Sequence, residues 1–191
     1  DEVLSRLVRV KKIVPEWARI KRVMRDIPAN MVVAGPRRSD MRSMALHALR
    51  AQGKRCRCIR CREVGRSADD RVEFSLCERS YAVSGGREVF LSFEDRNREV
   101  IAAFLRLSVR DDSSCRVREL HTYGRALAVG ERPSASDWQH RGLGRRLLES
   151  AEERGRDAGS CALYVTSGIG ARDYYRRFGY RLRSFYMYKK L

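Results

Sequence analysis

Apolar positions in the second half of the chain change period from two to about three and a half and back, and each change marks an element. Residues 116–123 alternate as a half-buried strand does, and Ala162, Leu163, Tyr164, Val165 and Thr166 form a short apolar strand. Between them Leu143, Leu147, Leu148 and Ala151 recur at helical spacing, and that helix runs out over residues 155–159, which begin and end with glycine. Residues 171–178 predict a short helix with Gly179 as its C-terminal stop, and residues 180–188 a final strand. The predicted order is strand, turn, helix, strand, helix, strand, an α/β arrangement.

The first half reads differently. From residue 15 to 26, Trp17, Ile20, Val23 and Met24, continued by Ile27, fall near one helical face, and Arg19, Lys21, Arg22 and Arg25 take the remainder, which predicts a basic amphipathic helix docked on a neighbour. Residues 28–40 carry Pro, Gly and polar residues and predict a linker. Ser39 is the expected cap of a second helix whose buried stripe is Met41, Met44, Ala45, Ala48 and Leu49, ended by Gly53. There is no internal repeat.

Two stretches carry chemistry at the predicted element ends. Gln139, His140, Arg141, Gly142, Leu143, Gly144 and Arg145 have the form Q-x-x-G-x-G and open directly into the helix. A β-carbon at either glycine would obstruct close approach of the backbone, whereas glycine lets successive N–H groups face a pyrophosphate at the positive end of the helix dipole. On the strand before it, Glu119, His121 and Tyr123 project to one face, and Leu120 and Thr122 to the other. Glu119 or His121 there has the chemistry of a general base, or of a group that positions water or a nucleoside.

Three cysteines within six residues, Cys56, Cys58 and Cys61, form a C-x-C-x-x-C knuckle suited to zinc, which takes thiolates at about 2.3 Å in a tetrahedron. A fourth ligand must come from elsewhere: Cys77 is the first candidate and His47 the second, with Cys115 and Cys161 expected as small buried apolar residues. Arg55, Arg57, Arg60 and Arg62 interleave with the cysteines, where they would offset the negative charge of a thiolate site and offer donors to phosphates.

Composition narrows the partner. In 191 residues, 43% hydrophobic, there is room for one core and a small appendage. Lysine and arginine number 41 against 24 acidic residues, a net charge of +17, and the isoelectric point is near 10.3, which favours a polyanion. Arginine outnumbers lysine 35 to 6, so part of that excess reflects genomic base composition. The sequence holds neither a run of eighteen apolar residues nor a recognisable signal peptide, which points away from a membrane and to a cytoplasmic protein.

The element order, with Q-x-x-G-x-G at the first turn and the run Ala171, Arg172, Asp173, Tyr174, Tyr175, Arg176, Arg177, Phe178, Gly179, Tyr180 near the end, resembles acyltransferases of the GCN5-related type. The resemblance implies a mixed sheet flanked by helices, with acetyl-CoA as cofactor. Its pyrophosphate would lie on the turn amides of residues 139–144, with Trp138 beside them, and its pantetheine arm against Glu119, Leu120, His121 and Thr122. Tyr175 matches the tyrosine that protonates the departing thiolate in many such enzymes, and Tyr174 stands beside it.

A narrower resemblance spans nearly the whole chain. Arg-Asp-Ile-Pro at 25–28, the cysteine block at 55–65, Ser-Gly-Gly at 84–86, Leu-Ser-Phe-Glu-Asp at 91–95, Arg-Glu-Leu-His-Thr-Tyr-Gly at 118–124, Trp-Gln-His-Arg-Gly at 138–142 and the end Tyr186, Met187, Lys189, Lys190, Leu191 are similar to the catalytic subunit of Elongator. That family modifies the wobble uridine of tRNA with a carboxymethyl-type group derived from acetyl-CoA. The resemblance implies tRNA as partner, with Arg19, Arg22, Arg25, Arg55, Arg57 and Arg60 as candidate phosphate contacts. It also implies a radical domain in cis, holding a 4Fe-4S cluster and S-adenosylmethionine, and a homodimer or larger Elongator-type assembly. The cluster spacing C-x-x-x-C-x-x-C does not occur here, so the chain reads as a C-terminal fragment. Residues 1–65 would be its basic helical segment and cysteine knuckle, and residues 66–191 the acetyltransferase-like domain. An ordinary lysine or small-amine N-acetyltransferase, and a zinc-stabilised RNA-binding module with a degenerate acyltransferase fold, are the competing readings.

Overall fold

The computed structural model describes residues 2–24, 27–64, 72–123 and 142–191. The chain divides into two compact units, Asp1–Glu63 and Val64–Leu191. The first contains α1 (Glu2–Ile13), α2 (Met41–Ala51), the single turn α3 (Ile59–Arg62) and a short 3-10 turn at Ala29–Met31. Val8 of α1 and Ala45 and Leu49 of α2 are buried together with Cys56 and Cys58, and Leu4 and Leu7 pack against them. The predicted stripe of α2 is present at Met41, Ala45 and Leu49, and Gly53 at φ +64° follows its end, as expected. Asp40 rather than Ser39 precedes the helix as its cap residue. Its carboxylate is occupied by Arg38 at 3.0 and 2.9 Å and makes no capping bond.

Helix α1 adds to the elements expected from the sequence, and the basic helix predicted over residues 15–26 is not formed in its described part, residues 15–24. The physical reason lies in its carbonyls. Those of Glu16, Ala18, Ile20 and Lys21 are taken by donors far along the chain: Arg62 at 2.9 Å, the Ile59 amide at 2.9 Å, and Arg42 at 2.8 and 3.1 Å. Carbonyls engaged in this way are lost to the i to i+4 pairing that a helix requires. The segment is instead laid along the cysteine knuckle.

The second unit is built on one seven-stranded sheet in the order β1-β2-β3-β4-β5-β7-β6. Its strands are β1 (Phe74–Val83), β2 (Gly86–Asp95), β3 (Ile101–Arg110), β4 (Cys115–Thr122), β5 (Ala162–Val165), β6 (Arg181–Arg183) and β7 (Tyr186–Lys190). Every pairing is antiparallel except β4 with β5, where α4 (Leu143–Asp157) lies between the two parallel strands in sequence. Leu143, Leu147, Leu148 and Ala151 of α4, the predicted stripe, are buried with Leu91, Phe93, Leu105, Leu107, Val117 and Leu163 of the sheet. Buried Glu152 ties α4 to the chain end, accepting from Tyr180 Oη at 2.9 Å and from Lys189 Nζ at 2.8 Å. The short helix α5 (Arg172–Arg176) follows a 3-10 turn, Ile169–Ala171. The single strand expected over residues 180–188 is two strands, because Ser184 at φ +53° reverses the chain between β6 and β7. Cys161, expected as buried, is exposed on the bend before β5, whereas Cys115 is buried in the core.

Candidate acyl-cofactor site and cysteine cluster

Strand β4 runs beside β5 only from Cys115 to Val117 in the parallel register. The last contact is the Thr166 amide on the Val117 carbonyl at 3.0 Å. There β4 bulges against β3, so that Arg118 is the extra residue between Val117 and Glu119. Its continuation through Thr122 stays paired to β3 on one edge, and its other edge has no partner strand among the described residues. Such an edge offers amides and carbonyls to an extended chain.

Helix α4 begins beside this edge. Gly142 precedes it in the left-handed region, at φ +71° and ψ 11°, and no side chain caps the first turn. A β-carbon on Gly144 would collide with the Tyr174 hydroxyl and would lie 3.4 Å from Cγ2 of Thr122. The glycine thus allows the end of β4, the first turn of α4 and a tyrosine of α5 to meet. Trp138, Gln139, His140 and Arg141 lie outside the described residues. Leu143 is buried in the core, and Arg145 is paired with Glu149 at 2.7 Å.

The two tyrosines differ in placement. Tyr175 is buried, its ring 6.0 Å from that of Tyr180, and burial first, with Tyr174 second, pushes its phenol up to about 12. Tyr174 stands edge-on to Tyr175 and Phe178, is 37% exposed, and brings its hydroxyl to Gly144. Its phenol is also raised by burial.

Glu119 and His121 do share a face, and they are joined: His121 Nε2 is 3.0 Å from Glu119 Oε1. Arg106 of β3, which the sequence reading did not single out, donates from Nε to Glu119 Oε2 at 2.8 Å. The His121 hydrogen bond first, and then Arg106, hold the Glu119 carboxyl down at about 2. A carboxylate so stabilised is a weak proton acceptor, so its geometry suits orientation of His121 rather than general-base work. Arg106 also donates to Tyr81 Oη at 3.1 Å, Tyr81 to Glu88 at 3.1 Å, and Glu88 pairs with Arg118. Phe104 lies tilted against the His121 ring at 5.2 Å and Tyr123 parallel to it at 6.4 Å, and the two stand 6.1 Å from each other, so the three rings form a triangle. The available signal for Arg106 was a single charge in the otherwise uncharged interior of β3.

Comparison with known proteins agrees with this frame. A model of the acetyltransferase (GNAT) family matches residues 44–180. The chain belongs to the acetyltransferase (GNAT) family. Across its whole length it is 38% identical to the tRNA uridine(34) acetyltransferase of Methanocaldococcus infernus, of which it covers 39%. Elongator complex protein 3 of Homo sapiens is 37% identical over all of this chain and 37% of its own length. The chain thus spans about two fifths of these curated relatives. The solved archaeal Elp3 of Methanocaldococcus infernus, with an N-terminal deletion, superposes with a TM-score of 0.87 at 38% identity, over 98% of this chain and 48% of that one.

In the first unit of this GNAT chain the Sγ atoms of Cys56, Cys58 and Cys61 all lie within 4.8 Å of one another. Cys58 starts the α3 turn and Cys61 lies within it, with the Cys61 amide on the Cys58 carbonyl at 3.0 Å. Cys56 and Cys61 surround the Cys58 sulfur as donors and pull its thiol strongly down, while their own are raised. Lys11, buried on α1, stands 4.0 Å from Cys56 Sγ and places a cation at the cluster. A close thiolate set beside a buried cation fits a soft divalent ion. Cys77 is half-buried on β1 and His47 lies on α2; neither is in this group of ligand atoms.

The candidate phosphate contacts near the knuckle are largely engaged internally. Arg19 and Arg60 pair with Glu63, and Arg57 with Glu16. Buried Arg62 donates to the carbonyls of Arg57 and Glu16. Arg22 and Arg55 have partners as well, and Arg25 lies outside the described residues. No helix among the described residues is long and apolar enough to cross a membrane.

Proposed function

We propose that this chain is the acetyl-CoA-handling part of a tRNA wobble-uridine modifying enzyme of the Elongator type. The observation that carries the reading is the meeting of the β4 edge that has no partner strand among the described residues, the Gly142–Gly144 entry to α4 and the Tyr174 hydroxyl. Acetyl-CoA, when bound, supplies an acetyl group activated as a thioester. Residues 139–144 hold its pyrophosphate with backbone amides, and residues 119–122 pair with its pantetheine amides. Tyr174, whose hydroxyl reaches Gly144, takes the acid role that the resemblance gives to the buried Tyr175 and keeps a proton at neutral pH for the leaving thiolate, and Glu119 fixes the ring of His121 at the acyl end. The tRNA specificity is supported by similarity along the full chain to relatives named for that reaction.

In the same reading a radical S-adenosylmethionine domain in cis completes the chemistry, in a homodimer or larger assembly in the cytoplasm. Zinc holds the knuckle through Cys56, Cys58 and Cys61, and Lys11 offsets thiolate charge.

Acetyl-CoA hydrolysis by the full-length protein, followed as free CoA, is expected to rise when tRNA is added. Tyr174→Phe should lower that rate by about a hundredfold with little change in acetyl-CoA affinity. Equal rates with and without tRNA would defeat the reading, and strong acetyl transfer to a peptide amine would favour an ordinary N-acetyltransferase.

A further inference from the structure

A cavity lies in the sheet unit, along the β4–β5 seam, on the sheet face away from α4. Its volume is 630 Å³, within the range of roughly 300–1,000 Å³ common to ligand clefts. Arg110, Arg116, Arg118, Tyr164, Thr166 and Tyr186 line it, and no carboxylate does among the described residues. The placement follows from strand alternation. Cys115 and Val117 point into the core beneath α4, so Arg116 points the other way, and the bulge at Arg118 turns that residue to the same side.

We infer that this cavity holds the phosphodiester backbone of an RNA strand beside the acyl site. The inference rests on the tRNA reading above and adds where on the molecule the strand lies. Arg116 is its centre. Several arginines of this sheet unit sit against a carboxylate, as Arg79 does with Glu94, Arg106 with Glu119 and Arg154 with Glu78. Arg116 makes no ion pair among the described residues; its guanidinium lies over the Tyr186 ring at 4.6 Å. Stacking fixes the plane of a guanidinium and leaves its N–H edge free, the arrangement that meets two phosphate oxygens at once.

The flanking arginines shape the cleft rather than adding equal charge. Arg118 is held by Glu88, and Arg110 donates to the Ser84 carbonyl at 2.8 Å. The aromatic rings are already committed to each other: Tyr164 meets Tyr186 edge-on at 6.3 Å and Tyr188 at 5.2 Å. With Arg116 over the Tyr186 ring and the guanidinium edge as the free donor, the cavity suits phosphate and ribose, and so binds without regard to sequence. Arg118 and Thr166 form its inner end, where β4 leaves β5 and Glu119 follows. A strand lying there passes next to the acyl group.

The test is tRNA affinity of the full-length protein as a function of salt, from about 50 to about 200 mM, for the wild type, Arg116→Gln and Arg116→Lys. Arg116→Gln is expected to weaken binding of unrelated tRNA sequences alike and to reduce the slope of log K against log salt by about 0.7–0.9. Arg116→Lys should keep the slope while losing part of the affinity, and both variants should bind acetyl-CoA and melt as the wild type does. An unchanged slope in Arg116→Gln overturns the inference and leaves the tRNA reading intact. Loss of acetyl-CoA affinity in step with the slope would assign the cavity to the cofactor instead. A wild type that binds no tRNA at any salt removes both.

Discussion

At the scale of single residues, Glu119 shows how a side chain nominated for one task is fitted for another. Its type and its alternation with His121 were legible in the sequence; the Arg106 contact was not, because cross-strand partners follow from register, which the sequence does not print. The contact has a pH signature. A glutamate with a free value of 4.5 that sits at about 2 in the fold gives up its proton on folding between those values. His121 first and Arg106 second hold the carboxylate in this way, so their joint contribution is fully present above about pH 4.5 and fades as the pH falls toward 2. Arg106→Met should accordingly destabilise the protein near pH 7, and its deficit against the wild type should shrink as the pH falls. Urea denaturation at about pH 7 and about pH 3.5 measures this, and a deficit independent of pH would mean that Arg106 acts by packing alone.

At the scale of elements, helix α4 was the most legible part of the chain, since Leu143, Leu147, Leu148 and Ala151 advertise one buried face. The glycines before it were legible as well, but not the reason for each. Gly142 is demanded by its own backbone, and Gly144 by the neighbour that crosses it. Their alanine variants should differ in kind. Gly142→Ala places a β-carbon in the left-handed region and should cost about 1–2 kcal/mol of stability. Gly144→Ala pushes the Tyr174 hydroxyl aside, so it should weaken acetyl-CoA binding by calorimetry and slow the tRNA-stimulated hydrolysis. If Gly144→Ala binds and turns over normally, Tyr174 has no task at that position. The elements misread were those whose polar atoms look for partners at long range. Residues 15–24 have the apolar spacing of a helix, yet Arg42 and Arg62 take carbonyls that a helix would need. Likewise Ser184 carries no turn signal as strong as glycine, which is why the last strand was read as one and is two.

At the scale of the whole molecule, two units of different character share the chain. The sheet unit has a continuous apolar core, while the first unit gathers a few aliphatic residues around Cys56 and Cys58. A small core of that kind is the setting in which a metal contributes most to folding. Cys58→Ser, or a strong zinc chelator, should remove the metal measured by elemental analysis and lower the melting of the first unit. The transition of the sheet unit should stay in place. A single transition unaffected by chelation would exclude a structural metal at the knuckle. The overall charge was the easiest property to read and the least specific, because many arginines are consumed in internal pairs; Arg116 stands out only once its surroundings are known.

The parting of β4 from β5 after Val117 has one more consequence. A strand edge with no neighbour among the described residues has outward amides that trade their hydrogens with heavy water at rates set by the local backbone. A pantetheine laid along residues 119–122 would complete the sheet there and slow that trade on this short run. Isotope uptake along the chain would then show the cofactor as a missing strand supplied from outside.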